Sequence, residues 1–489
     1  MLKSKRKNRQ EAEEVTIPVV VHIIHNGEPL GTGMNIPDEQ IFSQIEVLNE
    51  DFRRLNEDRV NSPVDFMPLA ADFEFNFSLA QRDPEGLPTN GIQRVNGGKD
   101  LWFIAENYTL KALSYWPAED YLNIWVTDLG DGFLGIAQFP VSDLEGLEEA
   151  SNSALTDGIM VDFRAFGSIL KFADADLNPS YNAGRTATHE VGHYFGLRHI
   201  WGDGGCSVDD FCEDTPSTRR DNGGLNFCDF PGPNTCVEAI SDLPDMFQNY
   251  MDYTNDVCMN LFTEDQKSRM RVVLDNSPRR ASLKESLGNI PPVQLANDLG
   301  VRTILSPTFT VCGDSFVPMI EIRNYGTEVV NNYQVSISAN GEEMAIFNGT
   351  NILESLQIDT VTFNEINLSS FANGDIVLTF QVQGVNGGND DNTDNDTKEG
   401  VVNYPQSAET PIRTSLNSVP EDWSITNFDD LSTWEIVDAP SNEANNKALS
   451  INFFEYENEG AIDLLSSPVL DLRGRFSAQL TIDIAYTKF

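Results

Sequence analysis

The stretch HEVGHYFGLRH, residues 189–199, limits what this chain can fold into more than any other, because it holds three of the chain's five histidines. On an α-helix, positions i and i+4 lie one above the other, so His189 and His193 present two imidazoles to one point in space. Glycine accepts positive φ at little cost, so Gly196 lets the chain leave the helix sharply and return His199 to that same point. Three neutral nitrogen donors suit a zinc ion with a fourth position left open, which is the arrangement of catalytic rather than structural zinc. Glu190 is rotated off the histidine line. It is a poor ligand there but can reach a water on the metal, whose pKa zinc lowers to about 7. Glu190 is therefore expected to act as general base and to pass the proton to a leaving amine, and peptide hydrolysis fits these parts.

A helix of this kind needs a sheet to pack on, and the flanking sequence supplies one. From Val15 onward strand and helix signals alternate: TIPVVVHIIH reads as a buried strand, and Pro37 stands at the start of a helix. In that helix Ile41, Ile45, Leu48, Phe52 and Leu55 recur at steps of four and three, one apolar face. FEFNFSLAQ alternates Phe73, Phe75, Phe77 and Leu79 with polar residues, YLNIWVTDL and GIMVDFRAF add strands, and Thr263 with Gln266 forms a capping box that opens a last helix. Past Pro291 and Pro292 the pattern changes to short alternating runs such as MIEIRN, YQVSISAN and DIVLTFQVQG, separated by turn signals. The expected class is α+β: a mixed, twisted sheet with an active-site helix over residues 15–288, then all-β sandwiches. An immunoglobulin-like sandwich is expected over 289–405 and an incomplete, jelly-roll-like one over 406–489, with 1–14 a leader or propeptide remnant. NDDNTDNDTKEG, residues 389–400, offers oxygen donors for calcium, but it lacks the glycine and glutamate positions of an EF-hand loop, so a polar hairpin tip is the preferred reading over a calcium loop.

Charge narrows the partners. Lys plus Arg number 32 against 76 for Asp plus Glu, a net charge of −44, which opposes nucleic acid and anionic membranes. No apolar run is long enough for a transmembrane segment. Five of the six cysteines fall between Cys206 and Cys258, which suits disulfides in an oxidising compartment and hence a secreted protein. Six cysteines allow 15 connectivities, and spacing alone does not choose among them.

Residues 189–199 match every fixed position of the signature H-E-x-x-H-x-x-G-x-x-H and so resemble the metzincin zinc peptidases. With NYMDYTNDVCMNLFT, GDGGC and DDFCEDTP, the region 15–280 resembles the pappalysin family, in its bacterial ulilysin-like branch. That resemblance implies a metzincin-type domain in which Met251 forms an apolar floor under the zinc histidines. It implies that Tyr253 hydrogen-bonds the tetrahedral intermediate, the alternative being a core tyrosine. Asp256 would lie at the base of the pocket for the residue after the scissile bond and favour Arg or Lys, the alternative being a loop acid that caps a turn. Asp210, the carbonyl of Glu213 and Thr215 would bind calcium. Cys206 would pair with Cys236 and Cys228 with Cys258, leaving Cys212 without an assigned partner and Cys312 as an unpaired buried thiol. Substrate would lie along the edge strand GIAQFP, residues 135–140, against Ala137 and Gln138. Relatives are held inactive by a prosegment; no cysteine precedes Cys206, so a thiolate plug is absent from the chain. The expectation is a zinc endopeptidase, secreted or attached at the cell surface, acting on proteins or peptides, with accessory domains for cell-surface or carbohydrate ligands. The rival is an adhesin with an inert peptidase domain, against which stand the intact ligands and Glu190.

Overall fold

The computed structural model describes residues 14–148, 150–223, 228–237, 242–311, 313–372 and 374–404, with shorter stretches between 407 and 470. The chain divides into two compact units, 1–292 and 293–489, so the boundary falls at the Pro291–Pro292 pair, a few residues past the expected 288.

The first unit runs β1 (Val15–His25), α1 (Asp38–Phe52), β2 (Phe75–Leu79), β3 (Ile92–Asn96), α2 (Asn107–Ala112), β4 (Leu122–Thr127), β5 (Gly135–Ala137), β6 (Ile159–Asp162), α3 (Arg185–Tyr194), α4 (Glu264–Asn276) and α5 (Pro278–Ala281). The sheet has the order β2-β1-β4-β6-β5, with β3 also on β1. Strands β2 and β3 pair in parallel with successive halves of β1, β4 and β6 are parallel, and β5 alone runs antiparallel at the edge. Strand β1 is apolar on both faces because both are covered. Ile17, Val19, Val21 and Ile23 join the core shared with α1 and α3, whereas Val20 and Ile24 serve smaller clusters opposite. Each such fully buried Val or Ile contributes roughly 1.5–3 kcal/mol.

Helix α1 buries Ile41, Ile45, Leu48 and Phe52, but ends at Phe52. Leu55, expected on the same face, lies past the helix and is 58% exposed, because Arg54 turns to positive φ and breaks the periodicity. Phe52 instead closes a ring cluster with Phe73, Phe77 and Phe262 at centroid distances of 5.6, 5.1 and 5.1 Å. The Thr263–Gln266 capping box opens α4 as expected.

The second unit contains β7 (Leu299–Ser306), β8 (Ser315–Phe316), β9 (Met319–Asn324), β10 (Tyr333–Ala339), β11 (Glu342–Gly349), β12 (Ile358–Thr362), β13 (Ile366–Asn367), β14 (Gly374–Val385) and β15 (Thr397–Tyr404). Antiparallel sheets β11-β10-β14-β15 and β12-β9-β7 share one core, which includes Ile320, Ile322, Val335, Ile337, Leu378 and Phe380. Within 406–489, Ser424–Asn427 pairs antiparallel with Asp463–Ser466 and Glu435–Asp438 with Lys447–Ser450. Ser407–Ala408 pairs in parallel with Val469–Leu470, and most of the remainder of the expected third domain, with residues 1–13, lies outside the described residues.

Candidate active site

Helix α3 carries the histidines and is fixed at both ends. At its start, Asp256 Oδ2 accepts hydrogen bonds from the backbone N–H groups of Ala183 (2.8 Å), just before the helix, and Arg185 (3.2 Å), a donor that a helix start leaves without a partner. Thr188 donates to Asp51 Oδ2 of α1 at 2.7 Å, and the same buried carboxylate takes the Tyr250 hydroxyl at 3.0 Å and pairs with Arg185. At its end, Leu197 N–H reaches back to Gly192 O (3.0 Å) and Gly196 N–H to His193 O (2.8 Å), the paired bonds of a Schellman motif with Gly196 at φ +90°. Arg280 Nε and Arg269 Nε then donate to the carbonyls of Tyr194 (2.8 Å) and Gly196 (2.7 Å).

This turn brings His199 back to the helix. Ring centroids stand 4.6 Å apart for His189–His193 and His193–His199 and 5.2 Å for His189–His199, and their candidate ligand nitrogens lie within 4.8 Å of one another. Every Nδ1 faces a pure acceptor: His189 the Tyr250 carbonyl (2.7 Å), His193 the Leu197 carbonyl (2.7 Å) and His199 the Asp203 carboxylate (2.5 Å). Each Nδ1 therefore carries the proton and each Nε2 keeps its lone pair. Burial, reinforced by neighbouring imidazoles, lowers the His189 pKa to about 3 and that of His193 well below its ordinary value, so both stay neutral. His193 Nε2 and His199 Nε2 then sit 3.1 Å apart with no proton to share, a geometry that a cation between them would relieve. The donor set fits zinc.

Met251 is fully buried beneath them. A Cβ on Gly192, between the two helical histidines, would come 2.4 Å from the Met251 sulfur, so only glycine admits this floor. Glu190 is 6% exposed and burial raises its pKa to about 8. A Cβ on Gly135 of β5 would stand 2.6 Å from Glu190 Oε1, so the edge strand crosses directly against the acid. Tyr253 is 45% exposed, with its ring 5.4 and 4.8 Å from those of His189 and His199, which rules out the core-tyrosine alternative. Burial and then the charges of Glu190, Asp203, Asp221 and Asp252 push its pKa up, so the phenol remains a donor.

In β5, Leu134 O and Gln138 N–H bond inward to Asp162 and Gly158, so the backbone groups of Gly135 and Ala137 face the open edge. Gln138 does not face that edge. Its side chain donates to Ser151 O (3.2 Å) and Ser153 O (2.8 Å) and accepts from Thr156 (2.6 Å). Asp256 is buried at the start of α3, with burial raising its pKa to about 6. Asp210 and Thr215 meet: Thr215 Oγ1 lies 2.9 Å from both Asp210 oxygens and 2.7 Å from Cys212 O, while Glu213 is exposed on the same loop. Burial pushes Asp210 up to about 7. Disulfides join Cys206 to Cys236 and Cys228 to Cys258, the second tethering the turn that carries Asp256. Cys212 is a free, buried thiol, and Cys312 lies outside the described residues.

Several contributors were not singled out from sequence. Trp201 stacks on His199 at 4.2 Å and 4°. Asp203, four residues past His199, was visible as an acid near a ligand, but its spacing has meaning only on a helix and this segment is a turn. Gly135 and Gly192 act by what they leave out, and that depends on which distant element approaches them.

The Peptidase_M43 family model, described as pregnancy-associated plasma protein-A, matches residues 107–275. An extracellular metalloprotease of Arthroderma otae is 31% identical over 259 residues, covering 52% of this chain and 76% of the relative. One of Verticillium alfalfae is 29% identical over 272 residues, covering 55% and 80%. Mature mirolysin of Tannerella forsythia, solved in complex with a cleaved peptide, is 41% identical, with 56% of this chain and 96% of that one covered at a TM-score of 0.48. Among the described residues no helix is long and apolar enough to cross a membrane.

Proposed function

Because the chain belongs to the pappalysin family of metallopeptidases, we propose that it is a secreted endopeptidase that uses Glu190 as general base and prefers Arg or Lys after the cut. The observation that carries this reading is the convergence of three imidazoles whose Nδ1 atoms are all tied to acceptors. Zinc held by His189, His193 and His199 would supply Lewis acidity toward a water and a substrate carbonyl. Glu190, buried against Gly135, receives the proton of the attacking water and delivers it to the leaving amine. Tyr253 donates from its protonated phenol to the carbonyl oxygen as charge develops there. The outward backbone groups of Gly135 and Ala137 pair with an extended substrate, and Gln138 holds the edge strand on the loop at 151–156.

Asp256 is the proposed selector. Its carboxylate is buried among the backbone donors of Ala183, Gly184 and Arg185, and an incoming guanidinium would offset the cost of burying a charge there. Asp210, the Glu213 carbonyl and Thr215 are the proposed calcium ligands, supported by the oxygen cluster at Asp210 and by its raised pKa. Mapping cuts in a mixed peptide library tests the reading. Cleavage should stop with a zinc chelator and return with zinc, and the residue after the cut should be Arg or Lys. In Asp256→Asn the preference for Arg should fall about tenfold or more; equal cutting before all residues by the unaltered chain would overturn the pocket assignment.

A further inference from the structure

At one end of the second unit, the loop joining β14 to β15 folds back on the start of β7. Asp390 accepts from the Leu299 N–H (2.7 Å) and the Asn392 N–H (2.8 Å), and Asp298, only 3% exposed, accepts from Asn392 Nδ2 (3.1 Å) and Asn395 Nδ2 (2.7 Å). The glycine at 300 permits this closure, since a Cβ there would stand 2.8 Å from Asn395 Cγ. Two acceptors are left over. Asp396, 6% exposed, has a buried Oδ1 with no hydrogen-bond partner, and Asn395 Oδ1 is likewise buried without one. Burial and the charges of Asp390 and Asp298 push Asp396 up to about 7, and both of those acids are raised as well. Among the described residues no Lys or Arg forms an ion pair with any of the three.

Buried acceptors without donors beside like charges without counter-charges are costly, and one ligand answers both deficits: a hard cation that takes oxygen donors only. We propose that Asp298, Asp390, Asn395 and Asp396 form a calcium site that fastens the loop at 386–396 to the first strand of the second unit. Oxygen-only, mixed carboxylate and amide ligation selects calcium over zinc, and donors drawn from a loop and a strand start suit the variable coordination of calcium better than the strict octahedron of magnesium. The loop alone does not spell such a site, because one acid comes from Asp298, on the far side of two sheets in sequence.

Equilibrium dialysis of the full chain against about 1 mM radioactive calcium counts the bound ions. Asp396→Asn should lose one calcium, keep peptide cleavage at the unaltered rate, and, in chelator, melt no lower than the parent because a buried charge has been removed. Asp298→Asn should lose the same ion, which guards against a folding defect confined to one variant. Asp210→Asn, which alters the calcium ligand proposed in the first unit, should lose a different ion, so the double variant Asp210→Asn with Asp396→Asn should bind one calcium fewer than either single variant. If Asp396→Asn and Asp298→Asn both bind as many calcium ions as the parent, the proposal is overturned, and the orphaned acceptor is then satisfied by a proton on Asp396.

Discussion

The imidazoles of residues 189–199 and the oxygens around Asp396 both gather metal-type donors inside protein, but they are held in opposite ways. Each imidazole spends its second nitrogen on a fixed acceptor, and burial keeps His189 and His193 neutral, so the ring nitrogens converge with little accumulated charge. Around Asp396 three of the four donors are carboxylates, burial and then neighbouring acids raise their pKa values, and two acceptor atoms stay unpaired. The first cluster is shaped by hydrogen bonds that need no ion, and the second depends on something positive arriving. Preorganisation of the first kind suits chemistry, in which geometry must be ready before substrate binds. Dependence of the second kind suits a structural tie, in which the ion's binding energy becomes folding energy.

The sharpest way to break the comparison is to remove the reacting group while leaving the donor framework alone. Glu190 makes no hydrogen bond to the histidines, so Glu190→Ala should keep one zinc per chain by elemental analysis and lose peptide cleavage by about 10³-fold or more. Loss of zinc along with activity would show that Glu190 supports the framework itself. Cleavage at the original rate would remove it from the mechanism.

A second test uses a buried histidine that cannot ligate. His22 of β1 stacks on Trp125 at 5.3 Å, with Nδ1 on the Ser114 hydroxyl (2.7 Å) and Nε2 on Asn123 Oδ1 (2.9 Å), so neither nitrogen is available. Burial lowers its pKa from 6.5 to about 4. With the folded value below the unfolded one, its contribution to stability is complete above pH 6.5 and is lost as pH falls toward 4, by about 3 kcal/mol in all. Urea melts at several pH values should show a shallower acid loss in His22→Gln than in the parent. Parallel slopes would mean that His22 is protonated as easily in the folded chain as in the unfolded one.

His22 also marks where the sequence stopped being informative. VTIPVVVHII announces a buried strand, but nothing local separates its histidine from the three ligands; only partners at 114 and 123 do so. The zinc trio and Glu190 were legible because one helix and one glycine turn fix all their spacings. Strand β3, IQRVN, was not, because its alternation is too weak and its partner is the far half of β1. The carbonyls of Tyr250 and Leu197 left no trace either, since a backbone acceptor is the same in every residue. Asp298 and Asp396 are separated by the whole sandwich, and a loop rich in Asp and Asn reads as a solvated tip until its neighbour is known. What a single element dictates could be read; what two elements build by meeting could not.

Asp203 tests the smallest effect on which the comparison depends. It is the one charged acceptor among the three that hold Nδ1 atoms, and it also lies 3.4 Å from Arg198. A carboxylate on Nδ1–H fixes the tautomer and makes the opposite nitrogen more basic, so Asp203→Asn should weaken zinc affinity by about 10–100-fold. The asparagine carbonyl can still accept the hydrogen bond, so the cleavage rate of the zinc-saturated variant should stay within about tenfold of the parent. Competition with a chromophoric chelator measures the affinity, and activity at excess zinc measures the rest. An unchanged affinity would mean that the trio is organised by α3 and its glycine turn alone, with the second nitrogens incidental, and the contrast with the Asp396 cluster would then reduce to one of charge.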